Sequence, residues 1–256
     1  MILSLALIGG SGCITASIVS QARADAYRRE REKTEQADSV AKLATYRAAA
    51  ANGDPAASVQ LAQALIRPVA GVEKYDTAQA LQLLEQASQK GYGQADYVLG
   101  WIYLNGSTVP RQPERGVTLL KQAASRACTY YRDTTRSGPA INVASEISRL
   151  YLQSRIGPQD KVQADLWRAR SAVHCPRSYP APQRYATQAT PATPAIPDAL
   201  MWARFDPNAD KAMPQIAELL KVLAPPDIAA AEEKERQLRR AVIESERQYP
   251  APPTEK

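Results

Sequence analysis

An apolar pattern with helical spacing recurs three times along the middle of this 256-residue chain, and that recurrence narrows the fold more than any single motif does. Ala57, Leu61, Ala64 and Leu65 stand at i, i+4, i+7 and i+8. The same spacing returns thirty-eight residues later as Ala95, Leu99, Ile102 and Tyr103, and forty-eight beyond those as Val143, Ile147, Leu150 and Tyr151. Each set is one face of an α-helix. A small residue recurs beside that face, at Ala62, Gly100 and Ser148, where a second helix has room to approach. That second helix follows in each unit with its own set: Ala80, Leu83 and Ala87; Gly116, Leu119 and Ala123; Ala164, Trp167 and Ser171. The last two sets are again forty-eight apart, so both helices of the third unit keep one register. Only 6% of the chain is aromatic while alanine is abundant, a balance that favours helix over strand.

Helix boundaries fall where backbone chemistry asks for them. Asp54-Pro55, Asp76 and Gln112-Pro113 put an acceptor or a proline at a helix start, and Gly53, Gly91 and Gly106 supply residues able to take the left-handed turn at a helix end. The most specific stretch runs from Gln94 through Ala95, Leu99-Gly100 and Tyr103 to Gly106, followed by Val109-Pro110 and Gln122-Ala123-Ala124. It resembles the Sel-one-like repeat, a relative of the tetratricopeptide repeat built from paired antiparallel helices. The likeness covers roughly residues 40 to 175, with Leu61-Ala62 in place of Leu-Gly in unit one, and Ser148 and Ser154 in place of glycines in unit three. It implies an all-α fold, a short right-handed α-solenoid of helix-turn-helix repeats with a C-terminal helical extension. Such units cannot bury both faces alone, so about three must stack, with atypical ends as caps.

Met1 to Gly10 is apolar and uncharged and leads into Ser11-Gly12-Cys13. It is too short for a bilayer-spanning helix, which needs about 20 residues, but has the length of a signal-peptide apolar region. The stretch resembles a bacterial lipoprotein signal, although Gly10 stands where leucine is usual and no basic residue precedes it. That resemblance implies lipidation of Cys13, export to the periplasm and attachment to the bacterial membrane; a short buried helix with an incidental cysteine is the competing reading. The expected organisation is a signal peptide over 1–13, an N-terminal helix and half-repeat over 14–51, the repeat array over 52–175, a Pro-rich linker over 176–197 and C-terminal helices over 198–256. The mixed-charge run Arg28 to Lys33 reads as a solvated helical face.

In an oxidising compartment the other two cysteines are candidates for a bridge. Cys128 and Cys175 each follow the second helix of a unit, and equivalent ends of stacked units lie side by side. A metal site from Cys128, Cys175 and the single histidine, His174, has too few ligands for the structural-zinc patterns, and no metal or cofactor is expected. Between units two and three lie about ten extra residues, Thr129 to Ala140, with Tyr130-Tyr131. Insertions in solenoids often sit on the binding face; a solvated connector with its tyrosines over helix ends is the alternative. Beyond the linker a short helix is expected from Asp198 to Trp202, a second after Pro214, and a long one from Asp227 to about Gln248 that either caps the array or takes a partner.

No Gly-rich phosphate loop, nucleophile elbow or Cys-x-x-Cys appears, and no carboxylate pair stands out, so an enzyme is not expected. The net charge of +6 is modest for nucleic-acid binding. It is unevenly spread: from Arg111 to Arg177 there are 12 Arg+Lys against 5 Asp+Glu, a local +7. Arg111, Arg115, Arg132 and Arg149, with Tyr130 and Tyr131, are therefore the candidate partner-binding residues. An acidic protein partner, plain solvation of the array, and phospholipid head groups are the three readings of that charge. The family resemblance suggests a protein partner, either a secreted toxin or lipase neutralised by an immunity protein of a type VI secretion system, or components of secretion or wall machinery organised by an envelope scaffold.

Overall fold

The structure is a computed structural model describing residues 11–66, 76–106, 109–131, 139–177, 196–205 and 209–253, with the side chains of 11–19, 196–197 and 209–215 set aside. Helix α1 (Ser11–Ala51) leads into three antiparallel pairs: α2 (Pro55–Ile66) with α3 (Thr77–Gln89), α4 (Gly93–Asn105) with α5 (Pro113–Ala124), and α6 (Val143–Leu152) with α7 (Lys161–His174). The C-terminal unit consists of α8 (Ile196–Arg204), α9 (Ala209–Val222) and α10 (Pro225–Ser245).

The caps follow the sequence. The Asp54 carboxylate accepts from the backbone N–H groups of Ala56 (2.8 Å) and Ala57 (3.3 Å), and that of Asp76 from Gln79 (2.8 Å). Gln112 precedes α5 without a side-chain capping bond, leaving Pro113 as the start signal. Asn142 and Asp160 cap α6 and α7 in the same way, at 2.9 Å each. Ser154, standing for the loop glycine of the third unit, takes a left-handed φ of 54°, as Gly106 does at 69° in the second. The turn geometry thus persists where the glycine does not.

One continuous core runs through all three pairs and takes in nearly every predicted first-helix position. The second helices differ in one detail: Leu84 and Leu120 are fully buried, while Leu83 and Leu119 lie at the core's edge. The expected i+3 leucine is displaced because the close contacts at Ala80 and Gly116 point the helix so that i+4 faces inward. Unit three keeps i+3, with Trp167 buried. The closest approach is between α4 and α5. A Cβ on Gly100 would lie 2.8 Å from the Leu120 side chain, and one on Gly116 would lie 2.8 Å from the Gly100 carbonyl oxygen.

The insertion forms structure rather than a bare loop. Strand β1 (Thr129–Tyr130) pairs antiparallel with β2 (Ile141–Asn142), placing Asn142 at the start of α6.

In the C-terminal unit Leu200, Leu223 and Ala231 form a small core of their own, and Met201, Phe205 and Val242 cover Ala169 and Ala172 on α7. The last helix therefore lies on the end of the array. It begins at Pro225, two residues before the predicted start, because prolines with preset φ suit the first helical turn. Helix α9 begins at Ala209, so Pro214 lies inside it at the cost of one backbone bond, and α8 spans more than the expected 198–202. The Pro-rich segment from 178 to 195 and the apolar segment 1–10 lie outside the described residues.

Candidate partner-binding surface

The basic excess of the second half is largely engaged inside the molecule. Arg111 Nε donates to the Leu104 carbonyl at 3.0 Å, and its guanidinium also reaches the Arg155 carbonyl, while Arg155 donates to Asn105 Oδ1 at 3.3 Å. Arg115 pairs with Glu85 at 3.1 Å and stacks 4.1 Å above the Tyr103 ring. Arg149 pairs with Glu146, Arg126 with Asp96, Lys161 with Asp165 and Asp198, and Arg168 lies over Trp202. Arg111, Arg115, Arg126 and Arg168 thereby bridge neighbouring elements, whereas the Arg149–Glu146 and Lys161–Asp165 pairs lie within single helices. Arg111, Arg115 and Arg149 nonetheless remain exposed, each held in place by a neighbour of its own fold rather than withdrawn from the surface. Arg132 lies outside the described residues.

For Tyr130 the structure corrects the sequence reading. It is buried, its hydroxyl donates to the Ala123 carbonyl at 2.8 Å, and its ring stacks on Tyr97 at 5.4 Å. The Tyr130 hydroxyl occupies the space beside Gly93, where a Cβ would lie 2.1 Å from its oxygen. Burial and the neighbouring Asp96 charge push its phenol well above the ordinary tyrosine range. Tyr131 is half-buried, and its carbonyl accepts from Gln94 at 2.8 Å. The aromatic pair thus belongs to the packing between insertion and array.

Asp96, which the sequence did not single out, is fully buried at the same junction. Ser88 Oγ donates to one oxygen at 2.5 Å and Arg126 lies 3.2 Å from the other, tying α3, α4 and the end of α5 together. Burial raises its carboxyl above the ordinary range, against the lowering by Ser88 and Arg126. A polar residue on a helix otherwise apolar all round was the available signal.

Cys128 and Cys175 are joined, with sulfurs 2.07 Å and Cα atoms 5.5 Å apart. Beside the bond, His174 Nε2 stands 3.0 Å from Glu246 Oε1 of the C-terminal unit. Burial and nearby Arg170 lower the His174 pKa, with Glu246 opposing. Among the described residues no group of three His, Cys, Asp or Glu side chains is placed to hold a metal ion. Cys13 falls in the first turn of α1, but its side chain lies outside the described residues.

What remains open is the face of the first helices. α2 and α4 also approach each other directly, so they line one side of the array. Register places Gln63, Trp101 and Arg149 at matching positions of α2, α4 and α6. The Trp101 ring is half-buried there, while its indole N–H is turned inward and buried, with no acceptor among the described residues. Aromatic side chains that leave part of an apolar ring exposed are enriched where proteins meet.

The Sel1 repeat family model matches residues 55–92 and 93–128. The chain carries two Sel1 repeats. The third helical pair, α6 and α7, lies beyond the matched region yet packs on the second Sel1 unit in the same order. Among solved structures the chain is similar to a protective antigen of uropathogenic Escherichia coli that displays an SLR fold, at 16% identity and a TM-score of 0.33, covering 80% of this chain and 50% of that one. The chain therefore spans about half the length of that protein. No curated protein matches it. Sel1 repeats indicate a helical-repeat module for protein–protein interaction, and that is the coarse function of this array.

Proposed function

We propose that this protein is exported, held to the membrane by a lipid on Cys13, and binds a phospholipase-type toxin of a type VI secretion system as its immunity protein, by occlusion and without catalysis. The observation that carries the binding half is the pair of Sel1 repeats, whose first-helix face holds the half-buried Trp101 ring on α4. The Cys128–Cys175 bond supports export, because such bonds persist in oxidising compartments. The toxin is suggested by likeness to exported repeat lipoproteins alone. A second reading, an envelope scaffold, has an observation of its own. From Ser20 to Asp38 every residue of α1 is exposed, and ion pairs at i,i+3 or i,i+4 line it, as in a spacer that holds an array away from its point of attachment.

The deciding experiment is co-purification from the cell envelope with the intact chain and with Trp101→Ala. A lipase-type toxin recovered by the first and lost from the second supports immunity; secretion or wall components indicate the scaffold. Equal recovery by both chains rejects the Trp101 face. Labelling with a fatty acid that disappears in Cys13→Ser tests the anchor.

A further inference from the structure

The chain ends by laying a short proline-rich strap, 249–252, into a groove on the third unit. Arg170, 2% exposed, donates through Nη1 to Ser245 Oγ at 2.6 Å, and through Nη2 to the backbone carbonyls of Tyr249 at 2.5 Å and Pro250 at 3.2 Å. The Tyr249 ring meets Trp167 edge to face at 5.7 Å. Lys121 Nζ lies 5.4 Å from the Tyr151 ring centroid and 5.7 Å from those of Trp167 and Tyr249. Two residues on, Pro252 is buried while Ala251 and Pro253 on either side are exposed. The strap is thus held through two main-chain carbonyls by a buried guanidinium and through one tyrosine ring by an aromatic and cationic wall. Recognition of a Pro-rich segment by an aromatic-lined groove works this way, because the ligand loses little conformational entropy on binding.

The sequence holds an independent observation. Arg247-Gln248-Tyr249-Pro250-Ala251-Pro252 repeats the pattern of Arg177-Ser178-Tyr179-Pro180-Ala181-Pro182, identical at Arg, Tyr, Pro, Ala and Pro. Residues 178–182 of that other copy lie outside the described residues. Its recurrence marks Arg-x-Tyr-Pro-Ala-Pro as a unit of sequence rather than a chance tail.

We propose that the groove formed by Lys121, Tyr151, Trp167 and Arg170 is a binding site for an Arg-x-Tyr-Pro-x-Pro segment of a partner protein, kept closed in this chain by its own strap. The site is built from residues other than the Trp101 face and stands whether or not the partner is a toxin. Tethering gives the strap an effective concentration in the millimolar range, so a free segment competes poorly until the strap is weakened.

The test uses the full chain and a fluorescent synthetic peptide of residues 247–253. Tyr249→Ala is expected to bind this peptide at least about tenfold more tightly than the unaltered chain, because the strap no longer competes as well. Adding Arg170→Ala is expected to abolish the gain. Should that double variant fail to fold, photo-cross-linking serves instead: a benzophenone in place of the peptide's tyrosine should label Tyr249→Ala, whose strap is weakened, between residues 121 and 170. Equal binding of a scrambled peptide, or labelling elsewhere, overturns the proposal. So does a concentration-dependent dimer that Tyr249→Ala removes, because the occupant is then a second copy. Trp101→Ala should leave peptide binding unchanged, which separates failure here from failure of the Trp101 face.

Discussion

The junction between α4 and α5 and the junction between α7 and the C-terminal unit join helices by opposite means. At the first, Gly100 and Gly116 let two backbones approach until no Cβ fits, and Leu120 and Leu104 fill the remaining space. At the second, small residues Ala169 and Ala172 meet larger apolar partners, but the fastening is done by long polar side chains: Arg170 to Ser245, Tyr249 and Pro250, and His174 to Glu246, beside the Cys128–Cys175 bond. Close packing is indifferent to pH and redox state. The imidazole at the second junction responds to pH, and the disulfide beside it, which ties the segment after α5 to the end of α7, responds to redox state, so the end of this array is the part that solution conditions can loosen.

The comparison breaks most readily at the apolar side. Leu120→Ala should cost about 4 kcal/mol in denaturant unfolding, since the side chain is fully buried against the glycines and the cavity cannot close. Replacing both cysteines, Cys128→Ser with Cys175→Ser, should cost about 3 kcal/mol, and mass spectrometry of unreduced protein should show the bond in the unaltered chain. Free thiols in protein purified from an oxidising compartment would remove the redox half of the contrast.

Gly116→Ala should cost about 2 kcal/mol, because the new methyl meets the Gly100 carbonyl at 2.8 Å while helix propensity returns only about 1 kcal/mol. An unchanged midpoint would mean that the α4–α5 approach is looser than described. Asp160→Ala, removing the cap of α7, should cost about 1 kcal/mol.

The smallest effect is the pH response of the end junction. Burial and then Arg170 lower the folded His174 pKa, with Glu246 opposing, so the unfolded chain takes up the proton first as pH falls through about 6.5. This group therefore costs no stability above neutrality and progressively more on acidification, until the folded form is protonated too. Amide protection, with the intrinsic slowing of exchange at lower pH divided out, should fall in α10 between pH 7.5 and 5.5 more than in α4, and His174→Gln should flatten that difference.

Much of the array was legible in the sequence. The i, i+4, i+7, i+8 sets became the core of α2, α4 and α6, and Asp54 and Asp76 cap where expected, because burial and capping act through local spacing. The candidate site was far less so. Arg111, Arg115 and Arg149 are exposed, as counting charge along the chain suggests, but the partners that fix their side chains, Leu104, Glu85 and Glu146, are set by the fold, Glu85 standing thirty positions from Arg115. Tyr130 looked exposed because it sits in an insertion, and only its stacking on Tyr97 shows otherwise. Asp96 passed unnoticed since a lone carboxylate reveals its burial only through neighbours from other helices.

The recurrent spacing by itself determined an array of paired helices, since an amphipathic face at helical period must be buried against a copy of itself. It also set the small residues where backbones meet. Tertiary structure alone decided which polar groups hold the array together, bringing Arg170 to Tyr249 across 79 positions and burying Asp96 between Ser88 and Arg126. Periodic apolar contacts repeat and can be read along the chain, whereas a long side chain reaching for a distant carbonyl leaves no period behind.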